Sequence, residues 1–176
     1  MHLRSLKCAT QKRNQMKQSN ERYQVLLNEL FTVYQRDSTV VALQKAIDAQ
    51  YDTVKNPLHE LQIALPFTLV DAMLDIAKHE NIELRQPTVA KTFYQELIDV
   101  LKALPLLELK LAFTPTYAQL REITTWWRDL TQVYILLDIV IDKHVLAGAI
   151  IGFEGNMQDF TLNKYLSTTL PQTRPS

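Results

Sequence analysis

Glycine is almost absent from this chain, and that absence limits how the backbone can turn. All three glycines, at positions 148, 152 and 155, fall in "HVLAGAIIGFEGNMQDFTL". Average composition would supply roughly a dozen in a chain of this length. Elsewhere the chain must turn with prolines and polar caps, and that favours short helices over a many-turned β fold.

The first part fits that expectation. "NERYQVLLNELFTVYQ" places Tyr23, Leu26, Leu27, Leu30 and Tyr34 at helical spacing. Asp37-Ser38-Thr39 is expected to end this helix and cap the next, whose apolar positions are Val40, Leu43, Ile47, Tyr51 and Val54. Asn56-Pro57 opens a short helix through Leu65, and Pro66 breaks it. A helix over 67–79 follows, and Pro87 opens the next, with inner face Val89, Phe93, Leu97, Val100, Leu101 and Leu104. Residues 1–105 therefore read as an N-terminal helical bundle.

Beyond Pro105 the period changes. "LLELKLAF" sets Leu107, Leu109 and Leu111 against Glu108 and Lys110, the alternation of a strand. Thr114-Pro115 reads as a helix start, with Tyr117, Leu120, Ile123, Trp127 and Leu130 on one face. "VYILLDIVID" and "LAGAIIGFEG" read as two further strands, and a last helix is expected over 161–169. The fold class is mainly α with a small α+β part. The helical bundle is followed by a βαββα unit over residues 106–176.

Bulk chemistry narrows the function. Nineteen basic and nineteen acidic side chains cancel, which argues against a nucleic-acid partner. Cys8 is the only cysteine, so neither an internal disulfide nor a cysteine-rich metal site can form. No run is long and apolar enough to span a bilayer; the best, over 133–141, is short and contains Asp138. Arg4, Lys7, Lys12, Arg13 and Lys17 precede the first acid, Glu21. They read as a basic first helix or tail, with an organelle-targeting presequence as the alternative.

A search for catalytic residues finds little. His2, His59, His79 and His144 are scattered and form no ligand pair, and His79 beside Glu80 reads as a helix-end histidine. There is no nucleophile elbow, phosphate loop or dinucleotide fingerprint. Asp138 and Asp142 fall on one face of one predicted strand, as paired carboxylates or as ordinary wet-face charges. No catalytic residue, metal or cofactor is expected. Trp127 shares the apolar face of its helix, whereas Trp126 points elsewhere and is the candidate interface residue, with a half-buried position as the alternative.

The glycines carry backbone roles. Gly155 belongs to a turn that needs a positive φ, and Gly148 and Gly152 mark a bulge or a close approach within a strand. A ligand-cradling loop is the alternative, without basic residues to support it. Asp159-Phe160-Thr161 supplies polar groups for the start of the last helix.

These residues carry a resemblance. "LAFTPTYAQLREITTWW…VYILLDIVIDKHVLAGAIIGFEGNMQDFTLNKYL" is similar to the C-terminal portion of the F-type ATP synthase delta subunit family, whose mitochondrial counterpart is the oligomycin-sensitivity-conferring protein. The family pattern is an aspartate ending a strand, a glycine-bearing strand, a glycine turn, and Asp-x-Ser entering a terminal helix. Asp142, Gly148, Gly155 and Asp159-Phe160-Thr161 take those places, with Gly152 in the same strand. Ala147 stands where a second glycine is common, Lys143 replaces a frequent proline, and Thr161 replaces serine. The similarity covers about residues 107–168; the bundle agrees in kind and length.

The resemblance implies a non-catalytic subunit that joins the catalytic head to the peripheral stalk, or stator, of a proton-driven ATP synthase. Its partners would be N-terminal helices of alpha subunits, held in a groove of the bundle, and the C-terminal ends of b subunits. It would lie peripherally on the cytoplasmic side of a bacterial inner membrane, with the mitochondrial matrix side as the second placement. The alternatives from the residues alone are a free-standing helical adaptor and a small enzyme built on Asp138 or Asp142.

Overall fold

A computed structural model describes residues 22–52, 56–145, 147–162 and 164. The chain is mainly α with a small α+β part. Its elements are α1 (Gln24–Asn28), α2 (Val33–Ala49), α3 (Pro57–Ala64), α4 (Phe67–His79), α5 (Pro87–Ala103), β1 (Leu106–Leu111), α6 (Tyr117–Thr131), β2 (Leu136–Ile141), β3 (Ala149–Phe153) and β4 (Asn156–Asp159). The contacts divide it into two compact units. One contains the described residues up to Leu30 together with Gln35–Leu104; the other contains Phe31–Tyr34 and the described residues from Pro105 onward. A single boundary at 105 thus misses a short excursion, because residues 31–34 belong with the C-terminal unit.

The helical unit is built as its prolines dictate. Pro57 occupies the first turn of α3, and the Asn56 side chain accepts the Leu58 N–H at 3.1 Å. Pro87 opens α5 in the same way. Leu26, Leu30, Leu43, Leu61, Leu69, Met73, Phe93, Leu97 and Leu101 are buried and form its core. At its surface Arg22 forks between Glu80 and Glu96 (2.9 Å to the latter), and the Tyr23 hydroxyl donates to Glu96 at 3.2 Å. Burial, followed by the Glu96 charge, pushes the Tyr23 hydroxyl above its ordinary range.

Three helix expectations are corrected. The first break falls at 29–32, not at Asp37-Ser38-Thr39, and α2 runs through the latter. There the Thr39 hydroxyl donates back to the Gln35 carbonyl (2.8 Å), satisfying inside a helix the group that otherwise caps one. The break occurs where it does because Phe31 is taken by the other unit. Its carbonyl accepts the Leu137 N–H (2.8 Å), Thr32 bridges Leu137, and its ring meets Tyr117 edge-on at 5.2 Å. Tyr34 and Tyr51, expected inside, are exposed, and Val54 lies outside the described residues. Finally, α6 begins at Tyr117, not Pro115. Thr116 and Gln119 form a reciprocal capping box in which the Gln119 side chain accepts the Thr116 N–H at 2.8 Å.

The C-terminal unit holds a sheet in the order β2-β1-β3-β4. β1 pairs in parallel with β2 (Leu107 beside Leu137, Glu108 beside Asp138) and antiparallel with β3 (Leu107 beside Phe153). The alternation of Leu107, Leu109 and Leu111 sets their buried face. α6 lies on that face, with Leu120, Ile123 and Trp127 packed on Leu107, Ile135 and Leu137. Trp127, expected in the core, is half-buried against Phe153, with ring centroids 5.2 Å apart. Tyr117 and Leu130, expected on the apolar face, are exposed. The expected βαββα order gains one strand, β4, before its last helix, of which Leu162 and Lys164 are described and helical. The added strand, β4, is polar and lacks the alternation that would reveal it. Residues 165–169 of the expected last helix lie outside the described residues, as do the basic residues before Glu21, with His2 and Cys8.

The shortage of glycine has a visible structural consequence. Asn81 (φ 53°) and Gln132 (φ 57°) take the left-handed positions after α4 and α6 that glycine commonly fills. Gln132→Gly should therefore stabilise the C-terminal unit by about 0.5–1 kcal/mol, because a side chain in this conformation costs about 1–2 kcal/mol and glycine pays part of that back in unfolded-chain entropy. A rise in thermal midpoint is the expected result; an unchanged or lower midpoint would contradict the strain.

Candidate functional site

The motif residues follow the path from β2 through β4, with Asp142, Gly148, Asp159 and Thr161 at one end of β3 and Gly155 at the hairpin at its other end, and each has a backbone task. Asp142 ends β2. Its N–H donates to the Leu111 carbonyl (2.8 Å), and its carboxylate accepts the His144 N–H (2.9 Å), a turn that starts the chain back toward β3.

Gly148 sits at φ +88°, and a Cβ added to it would lie 2.1 Å from the Phe160 carbonyl oxygen. On either side of it the two strands bond: Phe160 N–H donates to Ala149, and Leu162 N–H to Ala147, both at 2.9 Å. Glycine is required here twice, for its dihedral and for the space. Gly152 lies in β3 facing Glu108, whose Cβ would be 3.3 Å from an added methyl, so close cross-strand approach explains it. At the β3–β4 hairpin, Glu154 (φ 48°) and Gly155 (φ 80°) both have positive φ, the mirror-image two-residue turn that fits strand twist. Asn156 is thus the first residue of β4, not part of the turn centre.

Asp159 and Thr161 close the motif. The Asp159 carboxylate accepts the Thr161 N–H at 2.8 Å, and the Thr161 hydroxyl accepts the Lys164 N–H at 3.4 Å. The hydrogen bonds from Thr161, and to a lesser degree the Lys164 charge, hold the Asp159 carboxyl below its usual range.

Asp138 and Asp142 do not lie together on β2, so the paired-carboxylate alternative does not hold: β2 stops at Ile141, and the Asp142 carboxylate is occupied by the turn. The neighbour of Asp138 across the sheet is instead Glu108, which also pairs with Lys110 at 3.2 Å. Only the strand register could have revealed Glu108. His59, His79 and His144 are exposed, and no group of three His, Cys, Asp or Glu side chains among the described residues could hold a metal ion. No helix among the described residues is long and apolar enough to cross a membrane. Trp126 is 60% exposed, so the half-buried alternative does not hold and its indole is presented to solvent.

No protein-family model matches the chain, and no characterised protein matches it in sequence.

Two measurements test the motif. Gly148→Ala should destabilise the C-terminal unit by at least about 2 kcal/mol because the backbones must separate. Gly155→Val should cost about 1 kcal/mol or more from its dihedral alone, since nothing lies within 4 Å of an added Cβ. Equal melts for the two variants would contradict the crossing. Asp159 gives a pH dependence of known sign. Its folded pKa is depressed, so its stabilisation is present above the unfolded carboxyl pKa and is lost as pH falls through the folded value. Asp159→Asn should flatten that part of the stability–pH curve, and an unaltered slope would count against the cap.

Proposed function

We propose that this chain is a non-catalytic, delta-type stator subunit of an F-type ATP synthase, connecting the catalytic head to the peripheral stalk. The observation that carries the reading is the ordered set Asp142, Gly148, Gly155 and Asp159-Phe160-Thr161. Each member performs a backbone task suited to its residue type: strand end, crossing, tight turn and helix cap. Such a set defines a particular way of closing a small sheet, and it accounts for all of these residues without a reaction.

The division into two compact units supports the same reading, because a connector needs two attachment surfaces. In this proposal the helical unit takes N-terminal helices of alpha subunits by helix-in-groove recognition, and the C-terminal unit takes the C-terminal ends of b subunits. Rotor torque loads both joints, so their strength should come from apolar contact area more than from exposed ion pairs. The subunit needs no cofactor, and it sits peripherally at the cytoplasmic face of a bacterial inner membrane.

The test is calorimetric titration of the full chain with a synthetic peptide of the first 25 or so residues of the alpha subunit from the same organism. Saturable binding, unaffected by Gly155→Val in the other unit, is the expected result. A complete lack of binding by a chain shown to be folded would overturn the reading and favour a helical adaptor of another system.

A further inference from the structure

β2 is an edge strand whose outer side is used for a single rung. Its backbone groups alternate in direction. Leu136 N–H donates to the Pro105 carbonyl and Asp142 N–H to the Leu111 carbonyl, both on the β1 side, at 3.0 and 2.8 Å. Leu137 N–H points the other way, to the Phe31 carbonyl, beside the Thr32 bridge. By that alternation the N–H and C=O groups of Ile139 and Ile141 also point outward. The chain turns into α2 at Val33 and so leaves the edge after Thr32. No strand among the described residues pairs with Ile139 or Ile141 on that side.

An open row of this kind is a template for another strand, and sheets usually guard it with charge, proline or a bulge. Here the open end is apolar: Val140 and Ile141 are 40% and 45% exposed. The one charge on β2 is Asp138. The register sets it beside Glu108, and Val140 beside Lys110, on the face away from α6. Lys110 pairs with Glu108, and the Asp138 carboxylate has no ion pair among the described residues. Two neighbouring carboxylates thus share one cation. A strand added outside β2 would set a side chain directly opposite Asp138, where lysine or arginine supplies the missing countercharge.

A second copy of the chain fits this edge poorly. Antiparallel pairing centred on Val140 sets Asp138 opposite the copy's Asp142, like charge against like. Moved toward the strand's start, the pairing needs the Leu137 N–H, which Phe31 already holds; moved toward its end, it runs past Ile141 and out of the strand.

We propose that the outer edge of β2 takes an extended segment of another protein as an added strand, with apolar residues opposite Ile139, Val140 and Ile141 and a basic residue opposite Asp138. Antiparallel addition makes the stronger ladder, so from its N-terminal end the segment reads apolar, apolar, apolar, basic. Recognition is through the backbone, unlike the helix-in-groove contact proposed for the other unit. The edge is independent of the stator reading, which rests on the glycine motif.

The test uses the full chain and a synthetic peptide carrying Val-Val-Val-Lys between serine flanks, with amide hydrogen exchange as the readout. Bound peptide should slow exchange at Ile139 and Ile141 by about tenfold or more and leave the bonded Leu137 amide unchanged. A twin with glutamate for lysine should bind about fivefold more weakly. Asp138→Asn, whose folding circular dichroism will check, should remove that difference. N-methylation of the first and third valines, whose N–H groups face β2 in this register, should abolish binding, and N-methylation of the second, which faces away, should not. Unchanged exchange at Ile139 and Ile141 at the peptide's solubility limit, equal binding of the lysine and glutamate twins, or binding that survives methylation of the first and third valines would overturn the proposal. So would exchange at these two amides that is already slow in the free chain.

Discussion

The C-terminal unit depends on one backbone crossing. Gly148 passes so close to the Phe160 carbonyl that no side chain fits between them, and the hydrogen bonds beside it lock β3 to the strand returning from the hairpin. With that crossing in place, the Glu154-Gly155 turn sets the register of β4, and β4 delivers Asp159 to the point where it holds the Thr161 N–H. β3 in turn completes the flank of β1, the strand whose leucines support α6. A methyl group at 148 would disturb every later step in this series.

Much of this could be read from the chain. Pro57 and Pro87 begin helices because their fixed φ and missing N–H suit a first turn, and Leu107, Leu109 and Leu111 alternate because one sheet face is buried. Gly148 and Gly155 could be placed because few other residues tolerate what is asked of them. Features that depend on partners distant in sequence were not legible. Phe31 leaves its helical surroundings to pair with Leu137, a contact between residues far apart in the chain. β4 exists because a tight turn folds it onto β3, with no apolar pattern of its own. The spacing of Tyr117, Trp127 and Leu130 correctly signals an amphipathic helix, but the sheet buries only the middle of that stripe. Asp142 looked like a possible partner for Asp138 until the strand ended one residue before it.

Asp142, Asp159 and Thr161 direct their polar groups at backbone amides, and the glycines provide space and dihedral freedom. These residues close a small sheet and fix its shape. In the proposed stator role that shape is the product: each unit offers a surface, and stiffness within the units transmits load between the head and the stalk. In that proposed role the exposed Trp126 would serve recognition, as tryptophan does at many binding surfaces.

In the proposed role this chain is a fixed member of a rotary ATP synthase. The most direct measurement is purification of the tagged full chain from its native host in mild detergent, with co-purifying proteins identified by mass spectrometry. The account predicts recovery of alpha, beta and b subunits in constant ratio through a second purification step. Recovery of the chain by itself, or with a reproducible set of partners that contains none of these, would contradict it.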